Sequence, residues 1–215
     1  MKKESEKLIP ARTTRPPGHV ERVGIFGGSF DPVHLGHLIL AEAALEELVL
    51  DKIIFIPAGI SPFKQDRPPG ASAEQRLAML RLAVEGEPRF SVDDRELLRD
   101  GPSYTIDTVQ SLMGDHPGVR FIFLIGADNL KDLPSWRSIG ELMNLVDFAL
   151  LDRGDAEANR DCGFPVVRRR IDLSSTEIRE RSAKGLSIRF MVPEQVYDYI
   201  MTQAPYRPVS QHGHA

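Results

Sequence analysis

Residues 27–37 have the sequence GGSFDPVHLGH and stand between a short apolar run, 23–26, and an apolar-periodic stretch, 38–50. This order predicts a strand, a glycine turn and a helix. Glycines at the turn leave room for a ligand to approach the backbone closely. The free N–H groups at the helix N-terminus favour an anion such as a phosphate. The segment therefore predicts an α/β fold with an anion site where its first strand ends.

Two histidines in this segment, His34 and His37, are three residues apart and so lie on one face of the predicted helix start. Imidazoles can donate hydrogen bonds to phosphoryl oxygens at neutral pH. Each histidine alone is typical of a helix cap or a half-buried core position. Together, with Gly36 between them to admit close contact, they indicate a functional pair. Asp31 either positions the turn or touches the substrate.

A second segment, LSSTEIR at residues 173–179, predicts another helix N-terminus. The hydroxyls of Ser174 and Ser175 can bind phosphate oxygens, and Arg179 follows one turn later with a guanidinium suited to phosphate. The alternative is a capping box formed by Ser174 and Glu177 beside a surface arginine. The first segment makes the functional interpretation the stronger one.

The two segments, in this order and about 140 residues apart, resemble the paired motifs of the HxGH nucleotidyltransferases. The resemblance runs from about residue 22 to 199 and is greatest to the bacterial nicotinate-nucleotide adenylyltransferases. It implies a transfer of AMP from ATP to nicotinate mononucleotide in NAD biosynthesis, giving nicotinate adenine dinucleotide and pyrophosphate. Magnesium would be bound with ATP and need no dedicated protein ligands. Ser29 stands where the family often has threonine, and keeps the hydroxyl.

The resemblance also implies roles for individual residues. His34, His37 and Arg179 would be catalytic, since in-line attack by a phosphate acceptor needs charge stabilisation and no covalent nucleophile. The predicted ATP site comprises Phe26, Gly27, Gly28, Ser29, His34, His37, Gly126, Asp128, Ser174, Ser175, Ile178 and Arg179.

The acceptor site is predicted from the middle of the chain. Lys64, on a long loop over 58–71, could meet the acceptor phosphate or be solvated. Tyr104 and Thr105 open a helix whose N–H groups could select a carboxylate, which nicotinate carries and nicotinamide lacks. Trp136, followed by Arg137, could stack on a pyridine ring or be a core residue. Arg76 either helps to bind the substrate phosphates or is solvated, and we do not include it among the predicted site residues.

Alternating patterns predict an α/β, Rossmann-like open parallel sheet with helices on both faces and ligands beyond the carboxyl ends of the strands. Strands are predicted over 22–26, 52–57, 90–93, 119–125, 146–151 and 165–171. Helices are predicted over 35–48, 72–84 from a capping box at Ser72, 103–113 with Ser103 or Thr105 as cap, 127–130, 135–144, 174–184 and 193–203.

Length, charge and cysteine content limit the possible domain organisation, partners and location of the protein. We interpret residues 1–20 as an extension without a fixed fold, 21–204 as one nucleotidyltransferase domain and 205–215 as a disordered tail. A net charge of −4 gives no basic footprint for nucleic acid. Cys162 alone excludes an intramolecular disulfide. No apolar run spans a membrane and no signal peptide is visible, so we expect a cytoplasmic protein; a homo-oligomer is compatible with the sequence.

Three alternatives stay open at this point. A phosphopantetheine adenylyltransferase shares the first motif but lacks the SSTEIR turn and the context of Trp136. A nicotinamide-mononucleotide adenylyltransferase differs only in its preference for the amide. A non-catalytic nucleotide-binding module would not need the clamp on the leaving group that His34, His37 and Arg179 would form. A cytidylyltransferase would carry a late motif similar to RTxGISTT, which is absent.

Overall fold

The computed structural model describes residues 18–59, 70–154 and 162–206, which contain six strands, six α-helices and one 3₁₀ helix. The strands are β1 Arg22–Gly28, β2 Lys52–Pro57, β3 Phe90–Val92, β4 Arg120–Gly126, β5 Asp147–Asp152 and β6 Val166–Arg168. The α-helices are α1 Leu35–Glu47, α2 Ala73–Val84, α3 Thr105–Asp115, α4 Ile139–Leu145, α5 Ser175–Ala183 and α6 Glu194–Gln203, and the 3₁₀ helix is Ala127–Ser135.

All six strands form one parallel sheet in the order β3-β2-β1-β4-β5-β6. The chain winds outward from β1 in one direction and then, from β4, in the other. The order therefore reverses between β1 and β4, and the carboxyl ends of these two strands diverge into a crevice where ligands bind in such sheets. The predicted Rossmann-like class is confirmed.

The sheet has a separate apolar core on each face, as its nearly continuous apolar strands predict. One core packs β1 and β2 against α1, α2 and α6, with Phe55 and Met79 completely buried between them. The other packs β1 and β4 against α3 and α4, with Ile25 and Leu112 completely buried. Burial on both sides holds the strand ends rigidly, which positions the residues that follow them.

The largest local difference from the sequence prediction is at the first glycines. Gly27 and Gly28 continue β1 and pair with Ile56 and Pro57 of β2, so they end the strand and the turn begins after them. Backbone pairing with β2 keeps both glycines in the strand despite the preference of glycine for turns. The absence of side chains here still matters, because both residues face the crevice.

Other predicted boundaries hold to within a few residues, with three exceptions. α3 is capped by Tyr104, and the expected cap Ser103 instead donates to the Glu96 carbonyl at 3.3 Å. The 3₁₀ helix extends to Ser135, so α4 begins later than expected. β6 has three residues, since only those pair with β5. The capping box of Ser72 and Gln75 at α2 is confirmed.

At the C-terminal end, Tyr206 falls within the tail that the sequence predicts to be disordered, yet its side chain is only 8% exposed. The other predicted domain limits stay predictions, and residues 1–17 and 207–215 lie outside the described ranges. No helix among the described residues is both long and apolar enough to cross a membrane.

Candidate active site

The crevice between β1 and β4 is lined by residues from five separate parts of the sequence. The ends of β1 and β2 contribute Gly27, Gly28, Ser29 and Ala58, and the end of β4 contributes Gly126. The first turn of α3 and the segment after the 3₁₀ helix contribute Tyr104, Thr105, Trp136 and Arg137. We refer to this space as the β1–β4 cleft. It joins the predicted acceptor residues to the glycines of the first motif.

The two histidines form one stacked unit at the start of α1. His34 is the N-cap and is 1% exposed, and His37, three residues on, is half-buried. Their ring centroids are 3.8 Å apart with an interplanar angle of 27°. Phe26 and Phe30 lie edge-on to His37. Phe26 is thus a buried core residue whose ring supports a histidine.

Both imidazoles are neutral at pH 7. Burial, with a smaller contribution from the nearby positive charge of Arg153, lowers the pKa of His34 to about 3. Burial also lowers the pKa of His37 well below 6.5, with smaller contributions from His34 and Arg153. The His37 Nδ1 atom accepts a hydrogen bond from the His34 backbone N–H at 3.2 Å. Because Nδ1 accepts, the ring proton is on Nε2, which makes His37 a fixed hydrogen-bond donor at that atom.

Gly36 is required by close packing. A Cβ atom at this position would lie 2.9 Å from His34 Nδ1 and 3.2 Å from Ile171 Cγ2. The expectation that this glycine admits close contact therefore holds, but the contact is with the neighbouring imidazole of the same motif.

Two charged residues behind the site are buried. Asp31 is 4% exposed and accepts hydrogen bonds from the backbone of Gly70 and Ala71, which favours the positioning role over contact with substrate. Arg76 is 3% exposed and donates to the carbonyls of Ser29 at 2.8 Å and Ala58 at 2.9 Å. The alternative of a solvated Arg76 is wrong: its guanidinium links the ends of β1 and β2 and brings positive charge behind the cleft.

The second motif lies next to the first, as expected. Ser174 caps α5 by accepting from the Glu177 N–H at 3.1 Å, and Ser175 Oγ donates to the Pro32 carbonyl at 2.9 Å. Arg179 Nη1 donates to the Asp31 carbonyl at 2.7 Å. Ile178 is completely buried in the core, which gives no exposed surface for its predicted contact with ATP. The Ser175 hydroxyl and the Arg179 guanidinium thus connect the two motifs, whereas the Ser174 hydroxyl caps its own helix.

The predicted acceptor residues form an aromatic wall of the β1–β4 cleft. The Trp136 ring is half-buried and packs edge-on to Phe123 with centroids 5.7 Å apart. The Arg137 guanidinium lies 4.6 Å above the Tyr104 ring and 3.6 Å from Asp107. Thr105 is the first residue of α3, so its turn directs backbone N–H groups towards the cleft. Trp136 is therefore not a core residue, and Phe123 holds its ring in place at the cleft.

A second cleft lies beyond the ends of β4 and β5, and we refer to it as the β4–β5 cleft. Asp128, Arg153 and Ser174 are among its lining residues, so two predicted ATP residues lie here. A Cβ atom at Gly126 would lie 2.6 Å from Asp128 Oδ1, so a larger residue here would displace that exposed carboxylate. The predicted ATP residues are therefore distributed over two neighbouring clefts.

Sequence reasoning missed several lining residues, of which Glu96 carries the most chemistry. Its carboxylate accepts from Thr108 Oγ1 at 2.8 Å, and burial raises the pKa of the Glu96 carboxyl, although this hydrogen bond opposes the effect. Asn129 and Asp132 also line the β1–β4 cleft. A charged run, DDRE at residues 93–96, was the only signal, and it resembles a solvated loop. The predicted contact of Lys64 lies outside the described residues.

A parallel sheet whose reversal point carries neutral histidines, a helix N-terminus and an arginine has the parts needed to bind a triphosphate beside a second nucleotide. The fold and site define a nucleotidyltransferase. Residues 25–181 match the family model described as cytidylyltransferase-like.

Relatives define the branch of that family. A protein of Geobacillus thermodenitrificans is 45% identical over 188 residues, covering 86% of each chain. A protein of Herpetosiphon aurantiacus is 41% identical over 198 residues, covering 87% of this chain and 99% of its own. Both bear the name "probable nicotinate-nucleotide adenylyltransferase". The chain belongs to the cytidylyltransferase-like family and, within it, to the nicotinate-nucleotide adenylyltransferases.

Solved structures share the fold at lower identity. The Plasmodium falciparum nicotinic acid mononucleotide adenylyltransferase complexed with NaAD superposes with a TM-score of 0.71 at 20% identity. The match covers 86% of this chain and 97% of that one. The sheet and its helices are therefore common to both proteins.

Proposed function

We propose that this protein transfers the adenylyl group of ATP to nicotinate mononucleotide, releasing pyrophosphate and forming nicotinate adenine dinucleotide in NAD biosynthesis. The family to which the chain belongs supports this activity. The observation that carries it in the structure is the meeting of Tyr104, Thr105 and Trp136 with the glycine end of β1 in one cleft. A cytoplasmic location and a homo-oligomer stay predictions.

The reaction is an in-line displacement at phosphorus. A phosphate oxygen of the acceptor forms a bond to the α-phosphorus of ATP, and the bond from that phosphorus to the pyrophosphate oxygen breaks. No proton need be removed from an ionised phosphate, which agrees with histidines that are neutral donors. The His37 Nε2–H group can donate to phosphoryl oxygens as charge shifts towards the leaving group. We assign His34 to the same phosphates.

Arg179 supports the departure of pyrophosphate. Its guanidinium is held by Asp31 and Thr176 and is about one-third exposed, so part of it is available to a ligand. A guanidinium stays charged under all relevant conditions, and its planar fork of N–H donors can bind two phosphate oxygens at once. The histidines and the arginine come from opposite ends of the sequence, and the Ser175–Pro32 hydrogen bond fixes them relative to each other.

Acceptor selection is proposed for the wall that Tyr104, Thr105 and Trp136 form. A pyridine ring can stack on the half-buried indole. The N–H groups of the first turn of α3 favour a carboxylate by hydrogen bonding and by the helix dipole. A carboxamide lacks the charge, so the acid is the preferred acceptor.

We further propose that Mg²⁺ enters with ATP. Among the described residues no group of three or more His, Cys, Asp and Glu side chains could hold a metal ion. The ligands would then be triphosphate oxygens and water, a coordination that Mg²⁺ accepts readily. When bound, the ion would neutralise charge on the triphosphate.

The experiment measures pyrophosphate release with ATP and Mg²⁺, using nicotinate mononucleotide, nicotinamide mononucleotide or phosphopantetheine as acceptor. Fast release with the nicotinate acid and slow release with the others supports the proposal. Preference for the amide would contradict the selectivity assigned to α3 while keeping the phosphate machinery. Release with none of the three would contradict the catalytic assignment and favour a binding module.

A further inference from the structure

The carboxylate of Asp31 is an unusually well-satisfied buried anion. Oδ1 accepts from the Tyr206 hydroxyl at 2.9 Å and from the Ala71 N–H at 3.1 Å. Oδ2 accepts from the Gly70 N–H at 2.7 Å. Neither Asp31 nor Tyr206 lines either cleft, yet both are nearly inaccessible to water. A buried charge with this many donors has a fixed position, because any movement would leave a polar group without a partner.

Asp31 in turn holds Arg179. Its backbone carbonyl accepts from Arg179 Nη1 at 2.7 Å, and its Oδ2 lies 3.7 Å from the same nitrogen. On the other side, Arg179 Nη2 donates to Thr176 Oγ1 at 3.1 Å. The guanidinium plane is therefore set by the Asp31 residue and by the helix that carries it.

Gly70 lies between the two side chains that Asp31 contacts. A Cβ atom at Gly70 would lie 3.1 Å from Arg179 Cδ and 3.3 Å from the Tyr206 ring atoms Cδ1 and Cε1. The aliphatic part of Arg179 and the Tyr206 ring thus both border the space that a side chain at residue 70 would occupy. This packing gives a second, uncharged connection between Tyr206 and Arg179.

We propose that Tyr206 and Asp31 are positioning residues for Arg179, with the Tyr206 hydroxyl holding the Asp31 carboxylate and that residue fixing the guanidinium that meets the leaving pyrophosphate. The inference rests on the proposed function for the role of Arg179. Burial and the Asp31 charge raise the pKa of Tyr206, so the hydroxyl remains a donor throughout the working pH range. A residue from the far C-terminal end therefore completes the phosphate site.

The test is a double-mutant cycle on pyrophosphate release. Tyr206→Phe removes only the hydroxyl, and we expect kcat to fall about tenfold with the KM of nicotinate mononucleotide unchanged. In the Arg179→Ala background the same change should have no further effect on kcat. A general loss of structure would instead reduce kcat by the same factor in both backgrounds, and that result would overturn the proposal.

Two further variants test the packing between Tyr206 and Arg179 and control for the loss of a tyrosine hydroxyl. Gly70→Ala adds a methyl group between Tyr206 and Arg179, so we expect a kcat decrease that also disappears in the Arg179→Ala background. Tyr199→Phe removes a hydroxyl from the core-packed side of α6 and should leave kcat within twofold. A decrease for Tyr199→Phe as large as for Tyr206→Phe would count against the proposal.

The cycle can be repeated with binding of inorganic pyrophosphate, measured by calorimetry, so that it does not depend on the acceptor. We expect Tyr206→Phe to weaken pyrophosphate binding in the native background and not in the Arg179→Ala background. If this coupling is present while no acceptor supports turnover, the proposed function fails and the positioning role stands. Absence of coupling in both assays rejects the positioning role.

Discussion

Replacing Gly36 by alanine should displace the imidazole of His34, which we assign to the ATP phosphates. The added Cβ would lie 2.9 Å from His34 Nδ1 and 3.0 Å from its Cε1. Ordinary contact needs about 3.5 Å, so the ring must move by roughly 0.6 Å or the helix must shift. The ring cannot simply turn away, since it is 1% exposed and stacks on His37 at 3.8 Å.

The magnitude follows from this displacement. Overpacking of this kind destabilises a protein by about 1–3 kcal/mol. A misplacement approaching 1 Å at a reacting centre can reduce the rate by about 100-fold. We therefore expect Gly36→Ala to lower kcat for pyrophosphate release by about 30- to 100-fold while the protein stays folded at 25 °C. The KM of nicotinate mononucleotide should change much less than kcat, because the acceptor wall around Trp136 is not involved.

Steady-state pyrophosphate release and urea unfolding together test this expectation. Gly114→Ala is the matched control, since Gly114 lies in α3 with nothing within 4 Å of an added Cβ. Alanine there should stabilise the protein by about 0.5–1 kcal/mol and leave kcat unchanged. The reasoning is refuted if Gly36→Ala keeps kcat within twofold of the native enzyme, or if its loss is explained by unfolding.

Three further outcomes are expected. Because the pKa of His34 is lowered to about 3, the unfolded chain binds more protons than the folded one below pH 6.5. Through His34 alone the free energy of unfolding should fall by about 2–3 kcal/mol between pH 7 and pH 4.5, and urea unfolding should show a correspondingly smaller pH dependence in His34→Asn. Trp136→Ala should raise the KM of nicotinate mononucleotide about tenfold, and Trp136→Phe much less, in initial-rate assays. His37→Ala should lower kcat far more than ATP affinity measured by calorimetry; equal losses would reject its role in the transition state.

Local signals explain the parts of the fold that the sequence predicts well. β2 is an uninterrupted apolar run and α2 begins with a capping box, and both are determined by residues close in sequence. β6 shows the limit of such signals: an extended pattern over 165–171 forms only three paired residues, because the partner strand β5 ends at Asp152. Gly27 and Gly28 show it too, since pairing with β2 keeps them in the strand.

The candidate site also contains residues whose position depends on local sequence and residues whose position depends on distant partners. His34 and His37 could be named from the sequence because they lie at the same helix start, so one short motif contains both rings and the backbone that orients them. Arg179 could be named from the second motif, but its partner Asp31 lies 148 residues away. Asp31 could be named but not assigned, since its partners Gly70 and Tyr206 are 39 and 175 residues away. A partner that is distant along the chain cannot be recognised from a sequence motif, although the fold brings it into direct contact.

Arg76 extends this argument to electrostatics. The net charge of −4 requires that cations for two phosphate-bearing substrates be placed locally. In sequence Arg76 resembles any helical surface arginine, but the structure buries it against the carbonyls of Ser29 and Ala58. Burial lowers the pKa of this guanidinium, yet it stays charged at neutral pH. A fixed cation behind the strand ends raises the potential where phosphates bind, without needing to touch them.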